Sequence, residues 1–209
     1  PLPKLPPADD VSALLRVAES PIETSANKAD QHRHELARAR NLAIVHALHS
    51  SGMRVGELVG LKRGDLDHAQ HAARVTGKGN KQRIVYFDTA AWNWLTVYLR
   101  ERGDGSRAVL ADTLPVFAEH GRNAGPRIQP LTTNRVREIM RDLCESAGIE
   151  FRLTPHTLRH AFATTLLDTS GDLAIVQDAL GHSSPATTRI YAEVSPKRIR
   201  AAHQAAFGK

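Results

Sequence analysis

Apolar residues recur with a helical period along most of the chain, interrupted once by a stretch that alternates. Val11, Leu14, Leu15 and Ala18 fall at i, i+3, i+4 and i+7, which predicts a short helix capped by Asp9 or Asp10. Before it, residues 1–8 hold four prolines and no period, so they read as a linker or the exit from an upstream domain. Residues 20–32 are polar and contain Pro21, a loop signal. From His34 to about His49 the chain is alanine-rich and apolar on several sides (Leu36, Ala39, Leu42, Ala43, Val45, Leu48), the pattern of a buried helix. Ser50-Ser51-Gly52 stops it, and a short helix follows with Arg54, Glu57, Leu58 and Leu61.

The period changes at 72–86. Ala73–Thr76 and Arg83–Tyr86 are β-rich runs around the turn Gly77-Lys78-Gly79-Asn80-Lys81-Gln82, so a hairpin is expected with cations at its tip. Asp88 then caps a helix carrying Trp92, Leu95 and Leu99, which ends near Gly103. Residues 104–130 read mostly as loop, with a short extended piece at Val116-Phe117. From Thr133 the helical period returns through Val136, Ile139, Met140, Leu143, Cys144 and Ala147, with Gly148 at the C′ position. Further helices are expected at 155–169, 172–180, 185–192 and 196–206, the last two opened by Ser-Pro pairs. The class is α+β, mainly α with a small antiparallel β-sheet.

Composition adds bounds to this picture. A chain of 209 residues, 41% hydrophobic and 24% charged, can bury one sizeable core or two small ones. It has no apolar run near the roughly 18–20 residues of a membrane span and no signal-peptide pattern, so no membrane partner is expected. One cysteine, Cys144, allows no internal disulfide and suits a reducing, cytoplasmic setting; its place on the apolar stripe makes it a core residue. A net charge of +6 points to an anionic partner, nucleic acid first.

Candidate chemistry gathers late in the chain. His156 and Arg159 are one helical turn apart. Leu158, Phe162 and Leu166 are expected as the buried stripe of their helix, with Arg159 at its border and His156 well away from it. Gly181-His182 follows, and Tyr191 stands nine residues after that imidazole. Each residue alone fits a solvated face or a core position. Together, guanidinium and imidazole groups stabilise a phenolate and take its proton, making tyrosine a nucleophile. Arg54, with Glu57 one turn on to orient it, and Lys78 at the hairpin tip complete a set suited to a phosphodiester. Two arginine forks can hold non-bridging oxygens, and a lysine can protonate a departing alkoxide, with no metal required. A zinc site is not supported. His156 and His160 have i, i+4 spacing, but Thr157 stands where the zincin pattern has Glu and no third ligand is fixed. His32 and His34 read as solvated residues.

Five stretches, in order, resemble the catalytic domain of the tyrosine recombinase (phage integrase) family, and among its members the bacterial Xer recombinases. They are SGMRVGELVGL (51–61), GKGNKQRIV (77–85), TPHTLRHAFATTLL (154–167), LGHSSPATTRIYAEV (180–194) and the tail 197–204. The resemblance implies that fold and a metal- and ATP-independent DNA strand transferase. It implies that Arg54 and Arg159 clamp the scissile phosphate, that Lys78 is the general acid for the 5′-hydroxyl and that His156 is the general acid/base beside the tyrosine. His182 would hydrogen-bond the phosphate, Glu57 would support the arrangement, and Tyr191 would form the 3′-phosphotyrosyl bond. It further implies that 1–8 follows an N-terminal DNA-binding domain and that 9–209 is the catalytic domain, with a docking helix at about 196–206. Double-stranded DNA and self-association into dimers and tetramers on it are the implied partners, with no cofactor. Two other readings stay open at this point: a type IB topoisomerase-like enzyme that relaxes DNA, and a DNA-binding module without activity.

Overall fold

The computed structural model describes residues 5–20, 28–103, 111–120 and 128–181. Its elements are α1 (Ala8–Glu19), α2 (Lys28–Ser51), α3 (Val55–Val59), β1 (Leu66–Asp67), β2 (Ala72–Thr76), β3 (Gln82–Tyr86), α4 (Thr89–Arg102), α5 (Thr133–Ser146), α6 (Pro155–Ser170) and α7 (Leu173–Leu180). Helix dominates beside one antiparallel sheet of order β1-β2-β3, as the residue pattern implies. The helices expected at 185–192 and 196–206 lie outside the described residues. Pro3–Phe162 forms one compact unit, and Ala163 begins a second, the division falling inside α6. Among the described residues no helix is long and apolar enough to cross a membrane.

Helix α2 is the centre of the first unit. Leu42, Ala43, Ile44, Val45 and Leu48 have no exposed surface, and α1, α4 and α5 pack around them. Alanine at 39, 43 and 47 lets those neighbours approach closely, while each buried Leu or Ile contributes roughly 1.5–3 kcal/mol. A helix covered on several sides needs apolar residues beyond a single stripe, which is what this stretch has. Arg40 is an exception at 3% exposure; its Nη1 donates to the Ala118 carbonyl at 3.0 Å and lies 3.7 Å from Glu119. Arg102 of α4 likewise donates to the Val116 and Pro115 carbonyls at 2.7 and 2.8 Å. These two guanidiniums tie down the irregular segment at 111–120, whose flanks form isolated bridges (Lys62 with Pro115, Ala118 with Pro130) around the expected extended pair Val116-Phe117.

Several boundaries differ from expectation for physical reasons. Pro7 occupies the cap position of α1, which puts Asp9 and Asp10 in the first turn, where the helix dipole favours carboxylates. Helix α2 starts at Lys28, six residues before the apolar period begins; a Gln31–Glu35 side-chain hydrogen bond helps hold that polar turn. Strand β1 is two residues long, too short to show alternation, and is fixed by Leu66 pairing with Ala73. On α6 the buried residues are Pro155, Leu158, Arg159, His160, Ala163 and Leu167, whereas Phe162 and Leu166 are half-buried. The buried face is therefore rotated from the expected stripe, because it includes a guanidinium. Asp88 caps α4 by accepting from the Ala91 amide at 2.7 Å, and Gly103 ends it in the left-handed region, both as expected. Cys144 is buried, its thiol pushed above the ordinary value by burial, which suits the core role read from the sequence.

Gly52 ends α2 with φ +60°, and the Phe162 ring occupies the space a Cβ would need. Gly52→Ala combines left-handed strain with overpacking, at a cost of about 2–4 kcal/mol. A thermal midpoint lower by on the order of 10 °C is expected by calorimetry. Adding Phe162→Ala should recover part of the loss, and strict additivity of the two changes would contradict the packing account.

Burial also lowers both imidazoles of α2's last turns, His46 and His49, against the raising pull of Asp88 on each and of Glu19 on His46. The unfolded chain therefore binds more protons, and stability is lost as pH falls through the ordinary histidine range towards the lowered folded values. Urea midpoints should drop between about pH 7.5 and about pH 5.5, and the drop should shrink in a His46→Gln, His49→Gln double variant. An equal drop in that variant would assign the effect to other groups.

Candidate active site

The turn that leaves α2 is the foundation of the site. Ser51 Oγ donates to the Ala47 carbonyl at 2.6 Å and accepts from the Met53 amide at 3.3 Å, while Met53 is fully buried. Gly52 reverses the chain, and its carbonyl accepts from Arg159 Nη1 at 2.6 Å. Arg159 is 4% exposed and one helical turn before Phe162, whose ring rests on Gly52. A ring contact and a charge-assisted bond from the same helix thus hold one turn, two residues from Arg54.

Arg54 occupies the N-cap of α3 with extended backbone angles. Its amide donates to Glu57 Oε2 at 2.7 Å and its Nη1 to Oε1 at 3.0 Å. The i, i+3 pair suggested by spacing is present, and it does two jobs. Glu57 satisfies a backbone donor at the helix start and sets the direction of the guanidinium. The Arg54 side chain is 43% exposed, whereas that of Glu57 is 3% exposed, so the carboxylate is anchored inside and the cation faces out.

A second cation reaches the same carboxylate. Arg83 Nη2 of β3 donates to Glu57 Oε2 at 2.7 Å, with the Arg83 side chain 13% exposed. Burial lowers the affinity of its guanidinium for the proton, Glu57 raises it, and Arg54 lowers it further. Arg83 was not singled out in the sequence, although a signal existed. Val75, its ladder partner, and Val85 are both buried, so strand alternation puts position 83 on the inner face, where a charge needs a partner.

The hairpin meets the cluster at its entrance. A Cβ on Gly77 would lie 3.4 Å from Glu57 Oε1 and 3.9 Å from Arg54 Nη1. Its amide donates to the Lys81 carbonyl at 2.8 Å, closing a tight loop over Lys78–Asn80. Gly79 and Asn80 have φ of 74° and 60°, the conformation these residue types tolerate. The backbone of Lys78 therefore leaves Gly77 beside the Arg54–Glu57 pair.

His156 lies in the first turn of α6 and is exposed. That helix starts on Pro155, with Thr154 and Thr157 satisfying each other's amides: Thr157 N donates to Thr154 Oγ1 at 3.2 Å, and Thr154 N to Thr157 Oγ1 at 2.8 Å. Arg159 follows one turn later in the buried face, so a rigid helix carries both residues of the His-x-x-Arg pair. Of the sequence candidates, Arg54, Glu57 and Arg159 share the turn after α2, and Gly77 brings the Lys78 backbone to it. His182 and Tyr191 lie outside the described residues. Among those described, no group of three or more His, Cys, Asp or Glu side chains is placed to hold a metal ion.

Comparison with known proteins extends these observations. The sequence profile described as "Phage integrase family" matches residues 9–198. Tyrosine recombinase XerC of Leptospira interrogans is 38% identical over 172 residues, 82% of this chain and 52% of that one. Tyrosine recombinase XerC of Corynebacterium efficiens is 41% identical over 160 residues, 77% and 48% of the two chains. The chain spans about half the length of the curated relatives it matches. Among solved structures, XerA recombinase superposes with a TM-score of 0.74 at 32% identity, covering 100% of this chain and 65% of that one. XerH site-specific recombinase bound to palindromic difH substrate gives 0.73 at 27% identity, covering 98% and 53%. The matched profile covers most of the sequence and the relatives share its fold: this chain belongs to the phage integrase family of tyrosine recombinases, and its similarity runs to the Xer recombinases.

Proposed function

We propose that this chain is the catalytic portion of a site-specific DNA recombinase that cuts and rejoins strands through a 3′-phosphotyrosyl intermediate. The observation that carries the reading is that Arg54 leaves the turn that Arg159 of α6 grips, with Glu57 holding the first and the Gly52 carbonyl engaging the second. Two planar forks set by packed elements suit the non-bridging oxygens of one phosphodiester.

In this mechanism Tyr191 Oη attacks phosphorus and gives up its proton, with His156 as the general acid/base beside it. The bond from phosphorus to the 5′ oxygen breaks, and Lys78 supplies the proton that oxygen takes. His182 hydrogen-bonds the phosphate. The products are a tyrosine ester at the 3′ phosphate and a free 5′-hydroxyl. One phosphodiester has been exchanged for another, so a 5′-hydroxyl from a second duplex can reverse the step on a new strand without ATP. Arginine forks supply the electrostatic stabilisation for which other phosphoryl-transfer enzymes use metal ions.

Residues 9–209 would then act as the catalytic domain. The helix expected at about 196–206 would dock on a neighbouring subunit, in dimers and tetramers assembled on double-stranded DNA in the bacterial cytoplasm. The resemblance of the tail to that of the Xer group supports this reading over topoisomerase-like relaxation.

The test is denaturing-gel trapping of a protein–DNA adduct on nicked duplexes drawn from the protein's own genome. Tyr191→Phe should abolish the adduct while DNA affinity stays within about threefold, a change below 1 kcal/mol. Binding without any wild-type adduct would indicate a DNA-binding module, and plasmid relaxation without strand exchange would indicate a topoisomerase. Lys78→Ala should slow adduct formation by about 100-fold or more on an ordinary duplex. A 5′-sulfur leaving group, which needs little protonation, should restore most of that rate, and failure to do so would remove the general-acid role from Lys78.

A further inference from the structure

Arg83 is a largely buried cation, its side chain 13% exposed, on the inner face of β3 beside Val85 and opposite Val75. Among the described residues its Nε and Nη1 are buried with no hydrogen-bond partner. The 2.7 Å bond from Nη2 to Glu57 is therefore the contact that offsets the cost of burying it. For stability alone an apolar residue would serve, because replacing a buried ion pair by a packed hydrophobe is often neutral or favourable. What an apolar residue would not do is tie β3 to a defined atom of α3. Glu57 is already engaged by Arg54 through both carboxylate oxygens, so Arg83 fixes the hairpin to the group that aims Arg54. The anchor point is close to the tip: Thr76 pairs with Gln82 at the end of the ladder, a Cβ on Gly77 would come within 3.4 Å of the carboxylate, and Lys78 comes next.

We propose that Arg83 is a positioning residue: through the shared Glu57 carboxylate it locks the hairpin that carries Lys78 to the turn that carries Arg54. The lock sets where a general acid can arise relative to a phosphate held by Arg54. Its catalytic consequence rests on the recombinase reading; its structural half does not.

Two variants of the full chain test it. Arg83→Met keeps side-chain length without charge, and Arg83→Lys keeps charge without the planar fork. In Arg83→Met, amides at 76–82 should exchange about tenfold faster while those of α2 and α5 are unchanged, the mark of a local opening. Adduct formation on a nicked duplex should fall about 100-fold with the ordinary oxygen leaving group but by under about threefold with sulfur, as in Lys78→Ala. Arg83→Lys should recover at least part of both, and it carries the same two readouts if the Met variant does not fold. Unchanged exchange at the hairpin overturns the lock. An equal loss on oxygen and sulfur leaving groups also overturns it, since Arg83 would then serve Arg54 or general stability. If the wild type forms no adduct on any duplex, the recombinase reading fails, and the exchange experiment alone decides the lock.

Discussion

The arrangement depends on one buried carboxylate. Glu57 is 3% exposed and accepts from three donors: the Arg54 amide, the Arg54 guanidinium and the Arg83 guanidinium. A carboxylate left alone at that depth would cost several kcal/mol, and a single guanidinium would leave lone pairs unmet. Two cations and a backbone donor meet that demand, and in doing so they fix a helix start, a strand and an exposed arginine relative to one another.

The same logic extends to the turn after α2. Gly52 presents a carbonyl and an open Cβ position to α6, which fills them with Arg159 and the Phe162 ring. One helix thus uses a polar and an apolar residue to grip the turn from which Arg54 departs. Nothing in this scheme relies on a long loop to orient a guanidinium. The longer irregular segment, at 111–120, is held elsewhere by Arg40 and Arg102.

Much of this was legible in the sequence, for reasons that differ by element. Helix α4 carries an Asp cap, an apolar period and a terminal glycine, so local chemistry and packing agree about it. The Arg54–Glu57 pair follows from spacing on a helix start. The first six residues of α2 escaped notice because Lys28–Arg33 contains no apolar period in its sequence. Strand β1 is a single cycle of alternation, too short to show a period. Arg159 and Arg83 were misjudged or missed for a shared reason: both are guanidiniums on inward faces, and inward faces are read by looking for apolar residues. The partners that make them tolerable, Gly52 and Glu57, are 107 and 26 residues away in the chain, beyond any local pattern.

The fixed charges around this turn have an arithmetic of their own. Within the described contacts of this turn, three guanidiniums (Arg54, Arg83, Arg159) stand against the Glu57 carboxylate, a surplus of two positive charges in that set. A phosphodiester in resting DNA brings one negative charge, and attack by a phenolate brings a second. On the proposed reading the protein scaffold is over-positive for its substrate and balanced for the five-coordinate species, so the electrostatic match is reached only as the bond is being exchanged. Any lysine charge beyond that surplus is the one that departs, as a proton, with the leaving oxygen.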